Sequence, residues 1–112
     1  MRQPNPTRLP DGLEAYHRTD LFTEKTVPAG LLGNHQTKAG VWGLVHVEKG
    51  SLRFVVNDDR RVAQDTLIGA GGLPAIVEPE ILHRVAPEGE VSFFVEFWRP
   101  LSRNTPAKIH AI

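Results

Sequence analysis

The chain has 112 residues, 40% of them hydrophobic and 23% charged, which bounds it to one ordinary globular domain with its own core. Lys+Arg and Asp+Glu balance at 13 each, for zero formal net charge; with no basic excess to meet a phosphate backbone, nucleic-acid binding is set aside. The absence of cysteine removes disulfides, thiolate metal sites and cysteine nucleophiles.

The first residues, Met1-Arg2-Gln3-Pro4-Asn5-Pro6, contain no apolar signal core, and no apolar run reaches bilayer length. No membrane association and a cytoplasmic location are therefore expected. Pro4, Pro6 and Pro10 mark residues 1–12 as an extended arm, because proline restricts its predecessor and donates no hydrogen bond. Residues 13–100 read as the folded domain and residues 101–112 as a proline-broken strap.

From Leu13 the chain alternates loosely through Arg18, and residues 27–33 read as a short strand or a β-bend. Residues 41–48 form a β-rich run with Val41, Val45 and Val47 on one face. Lys49-Gly50-Ser51 then predicts a tight hairpin turn into a second strand over 52–56. Asn57 to Arg61 is a polar loop, and Val62 to Ile68 another strand, closed by the glycine-rich turn at 69–72. Short strands follow at 75–77 and 82–85, then a turn at Pro87-Glu88-Gly89-Glu90 and the strongest strand, Val91 to Trp98. Turn signals every 8–12 residues, without a helical stripe of ten residues, predict an all-β sandwich or barrel.

Two histidines stand out. His35 precedes the central strand run, and His83 follows Pro79 in a Pro-x-x-x-His unit. That layout matches the paired motifs of the cupin, or double-stranded β-helix, barrel, in which histidines from separate strands meet and bind a divalent metal. Thr26-Val27-Pro28-Ala29-Gly30-Leu31, His35-x-Thr37-Lys38-x-Gly40-x-Trp42-Gly43, Val77-Glu78-Pro79-x-x-x-His83-x-Val85 and Phe93-Phe94-Val95-Glu96-Phe97 resemble the TehB/YeaR-like domain family over Leu13 to Arg99. This resemblance implies an all-β, single-domain jelly-roll, a metal-capable pocket and a role in a stress or tellurite-resistance response. His35 matches the first histidine of the cupin pattern and His83 the histidine of its second motif. Thr37 stands where many cupins have a second histidine, and Trp42-Gly43 where they have a glutamate.

Glu96 is the candidate to complete the ligand set. Phe94, Glu96 and Trp98 share one strand face, and a carboxylate between two buried aromatics is costly unless paired or metal-bound. His35, His83 and Glu96 would then hold Zn, Fe, Mn or Ni, with Thr37, Trp42, Phe94 and Trp98 lining the pocket. A salt bridge from Glu96 to Arg84 or Arg99 is the structural alternative, and His46 reads as an outward structural residue. No residue is assigned a catalytic role.

The leading functional expectation is a small-molecule or metal-binding module. The alternatives are a metal-dependent oxygenase or isomerase using the same ligands and a non-catalytic interaction domain. A homodimer is expected from the near-zero charge and the habit of cupins. No serine-hydrolase elbow is present, nor a Gly-rich loop opening a helix as a methyltransferase would need.

Overall fold

The computed structural model describes residues 1–102. Strand-favouring residues dominate it: β1 (Leu13–Arg18), β2 (Phe22–Thr23), β3 (Trp42–Val56), β4 (Gln64–Gly69), β5 (Ala75–Val77) and β6 (His83–Pro100). They form one antiparallel sheet in the order β1-β6-β3-β4, with β2 added on β6 and β5 on β3. The expected all-β, single-domain class is met.

Two expected turns are not reversals. Residues 42–56 run as one strand of 15 residues, and residues 83–100 as one of 18. The glycines inside them serve bulges instead. Along β3, Lys49 pairs with Ser92 and Gly50 with Val91, but Ser51 pairs with Glu88, so Gly89 and Glu90 are extra residues on β6. Just before, Glu48 is extra on β3, between Val47 opposite Phe93 and Lys49 opposite Ser92. A bulge bends its strand and increases local twist, so the two partners bend together where the sequence pattern suggests a hairpin. An inserted residue also shifts the alternation of faces. Buried positions on β3 are odd-numbered before the bend (Gly43, Val45, Val47) and even-numbered after it (Leu52, Phe54, Val56).

The stretch at 27–33 is neither strand nor bend: Ala29–Leu32 form a four-residue helix, α1, entered through Pro28. Proline at a helix start gives up a donor that has no partner there in any case. In the arm, Gln3 makes a parallel bridge to Arg61, with Val62 N donating to the Gln3 carbonyl at 2.9 Å. The polar tail expected at 101–112 lies outside the described residues beyond Ser102.

The bend lets one face of the sheet enclose a single core. Leu52, Phe54, Val45 and Phe93 are fully buried, and Val85, Val91 and Ile81 pack with them. Each such side chain contributes about 1.5–3 kcal/mol through removal from water. No helix among the described residues is long and apolar enough to cross a membrane.

Candidate functional site

The concave face of the bent sheet holds a cavity of about 360 Å³. Val45, Val77, Val95 and Phe97 line it from the first half of the sheet, and His83 and Val85 from the second. Phe22 closes one side, Leu31 of α1 another, and the loop carrying His35, Gln36 and Thr37 a third. Gly43 helps keep this space open. It faces the same way as Val45, and a Cβ there would stand 3.1 Å from Val77 Cβ.

His35 and His83 come together. They form an isolated antiparallel bridge, each backbone N–H donating to the other's carbonyl at 2.9 Å, and their ring centroids are 4.2 Å apart. Both rings repeat one local device. Nδ1 of His35 lies 2.9 Å from the Gly33 carbonyl, and Nδ1 of His83 lies 2.9 Å from the Ile81 carbonyl. A carbonyl oxygen only accepts, so Nδ1 carries the proton in each ring. In the neutral form Nε2 is then an unprotonated acceptor.

His83 is only 5% exposed, and its other flank faces Phe54 at a centroid distance of 5.7 Å. Burial pushes its pKa down to about 4, with the neighbouring His35 acting the same way and the Ile81 bond opposing it. The unfolded chain takes up this proton near pH 6.5, whereas the folded chain stays neutral until about pH 4. Stability contributed by neutral His83 is therefore complete above pH 6.5 and is lost as pH falls towards 4. Urea melts at pH 7.5 and pH 5 are expected to differ by about 2 kcal/mol from this group. A His83→Gln variant showing the same loss would refute that assignment.

Glu96 does not join the histidines. It sits opposite Leu44 on the outer face, where strand alternation also puts Phe94, Trp98, Trp42 and His46. There its Oε1 accepts from Trp98 Nε1 at 3.0 Å and lies 3.4 Å from His46 Nε2. His46 stacks on Phe94 at 4.8 Å, and the Arg18 guanidinium lies 3.7 Å above that same ring. The carboxylate is half-buried and held by these partners, with neither Arg84 nor Arg99 among them. The face that carries Glu96 is partly open, with Glu96 and Trp98 only half-buried, so the carboxylate is not enclosed between two buried aromatics. Of the expected lining residues, Thr37 faces the cavity, while Trp42, Phe94 and Trp98 lie across the sheet from it.

Among the described residues, no three His, Asp or Glu side chains stand close enough to hold a metal ion. Two imidazole nitrogens fall short of the three protein ligands of a catalytic zinc or two-histidine-one-carboxylate centre. The donor set does not fit a resident ion of that kind.

The residues that secure His83 come from the loop read only as polar. Asp58 is buried and accepts from Leu82 N at 2.9 Å, from Arg60 N and Nε at 2.9 Å each, and from Arg60 Nη2 at 2.8 Å. Arg60 Nη2 also reaches the Glu80 carbonyl at 2.5 Å. The Arg60 guanidinium, with the Leu82 and Arg60 amides, holds the Asp58 carboxyl well below the usual range. Next to it, Arg61 pairs with Glu78 in a half-buried ion pair. The Asp58-Asp59-Arg60 spacing, in which an Asp side chain caps the backbone two residues on, is the turn signal that would have found this anchor.

These features define a class: a small antiparallel β domain folded around an apolar cavity with two histidines at its edge. The chain belongs to the TehB-like domain family, whose model matches residues 17–95. Its fold is similar to that of TehB from Haemophilus influenzae, with TM-score 0.72 and 25% identity over 80% of this chain and 32% of that one. It is also similar to a protein of E. coli strain K12, with TM-score 0.76 and 23% identity over 87% of this chain and 100% of that one. The chain thus spans about a third of the TehB it matches. No curated protein sequence matches it.

Proposed function

We propose that this chain is a small-molecule-binding domain of the cupin, double-stranded β-helix type, whose ligand occupies the cavity beside His35 and His83. The observation that carries this is the cavity itself: about 360 Å³, walled mainly by valines and phenylalanines, with a few polar side chains that include His35 and His83. That is the usual form of a ligand pocket, near the small end of the range. Paired long strands that bend in concert support the jelly-roll reading. The stress or tellurite-resistance context rests on likeness to TehB and concerns a third of that protein.

A neutral apolar dye such as N-phenyl-1-naphthylamine is expected to bind one-to-one with enhanced fluorescence. Val95→Phe, which puts bulk into the cavity from its floor, is expected to abolish the signal while leaving the circular dichroism spectrum unchanged. Undiminished binding in the variant would place the dye elsewhere and sink the reading. Metal-dependent oxygenase or isomerase chemistry requires a donor beyond the two histidines. Plasma mass spectrometry of untagged protein decides it: a near-stoichiometric ion that disappears in His83→Ala would reinstate that chemistry. A homodimer is the assembly we infer from the near-zero charge and the habit of cupins, and light scattering at working concentration reads it.

A further inference from the structure

We propose that the cavity selects an uncharged, largely apolar molecule carrying one hydrogen-bond donor, such as a phenol or alcohol, whose O–H is received by the outward nitrogens of His35 and His83. This rests on the cavity being the binding site and adds which chemistry it takes.

Three observations converge. First, the tautomers are set by the backbone: with both Nδ1 atoms donating to carbonyls two residues back, the rim offers acceptors and no imidazole N–H. No hydrogen bond to either Nε2 is made among the described residues, and no side-chain polar atom there is both fully buried and unpartnered. The Nε2 atoms are thus left to solvent or a ligand in the cavity. Second, no Lys, Arg, Asp or Glu lines the cavity. An anion would find no resident cation. A cationic ligand would find no carboxylate. Third, the two threonine hydroxyls of the lining are already engaged, and its one other polar side chain besides the histidines, Gln36, is exposed to solvent. Thr37 Oγ1 donates to the Val41 carbonyl at 2.7 Å, and Thr19 Oγ1 donates to the Asp20 carbonyl while accepting from Val95 N at 3.0 Å. The histidine pair is left as the point of polar recognition. A cavity of 150 Å³ already admits benzene, so one ring with a short alkyl chain fits here.

The probes are 4-propylphenol, its methyl ether and 4-propylbenzoate, titrated by calorimetry at pH 7.5 with EDTA present. The phenol is expected to bind about 10-fold or more tightly than the ether, since the ether leaves the acceptors without a donor. The benzoate is expected not to bind. His35→Leu, which keeps the cavity apolar, should bring phenol and ether closer together. Side-chain ¹⁵N spectra should show both rings protonated at Nδ1, with the Nε2 resonances moving on phenol addition. Equal affinity for phenol and ether would overturn the donor preference while leaving the cavity as the binding site. Tighter binding of the benzoate, or phenol binding that EDTA abolishes, would overturn it in favour of an anion or metal-borne ligand. No binding of any probe would overturn the cavity reading itself, and this proposal with it.

Discussion

Gly50→Ala is expected to prevent folding, or to cost about 4 kcal/mol or more if the chain folds at all. Gly50 has φ of +75°, and a Cβ there would lie 1.9 Å from the Glu90 carbonyl oxygen. Neither atom can yield cheaply, because Gly50 pairs with Val91 at the point where both long strands bend. Backbone would have to move against backbone, and the two halves of the core would separate with it. Gly89 gives the control. It lies in the same bulge with φ of +73°, but a Cβ there meets nothing within 4 Å. Gly89→Ala should cost only about 1 kcal/mol, the strain of a left-handed residue without the collision. Chemical denaturation of both variants reads the difference directly. Similar losses in the two would mean that conformation, and not close approach, is what Gly50 supplies.

Asp58→Asn is expected to be the most damaging conservative change, at about 3 kcal/mol or more. The carboxylate has only 4% of its side chain exposed and serves Leu82 N and three Arg60 donors. An amide has one acceptor oxygen and brings an NH₂ group that would face donors. Arg60 would be left without its charge partner, and the segment carrying His83 would lose its fixing point. The thermal midpoint should therefore fall, and 4-propylphenol affinity should fall with it if the anchor positions the site. A drop in midpoint with unchanged affinity would make Asp58 purely structural. Arg60→Lys separates these effects further, since it keeps the charge but forfeits the two-pronged grip.

The strand runs were legible because β-branched and aromatic residues alternate at 41–48, 52–56 and 91–98. The reading of their ends was wrong for one reason. Lys49-Gly50-Ser51 and Pro87-Glu88-Gly89-Glu90 have the composition of turns, and positive-φ glycines serve a bulge as well as a reversal. Local sequence cannot tell the two apart, because the difference lies in what pairs across the gap. The histidine pair was legible from the Pro-x-x-x-His spacing and the likeness to a known family. Glu96 was misplaced because period-two alternation shows which residues share a face, but not which face looks inward. Phe93, Val95 and Phe97 and the set Phe94, Glu96 and Trp98 looked equally apolar. Arg18 and His46, which with Trp98 make the outer face suitable for a carboxylate, come from other strands. The Asp58 anchor was missed because a run of charges reads as solvated until its backbone partners are known.

The pairing of Leu13 with Pro100, reinforced by Leu101 N donating to the Gly12 carbonyl at 2.9 Å, joins the first strand to the end of the last. During synthesis β1 therefore waits for almost the entire described chain before it has a neighbour. β3 likewise stays without its main partner until β6 emerges, so early ordering is limited to the β3–β4 and β3–β5 ladders. Assembly is delayed until β6 has been made, and a ribosome that stalls before residue 83 releases a chain in which β1 and one side of β3 lack their partners. The same closure suggests engineering: a short linker from Leu101 to Gly12, with new termini cut at the exposed turn around Gly71, would turn the last pairing formed into a local one.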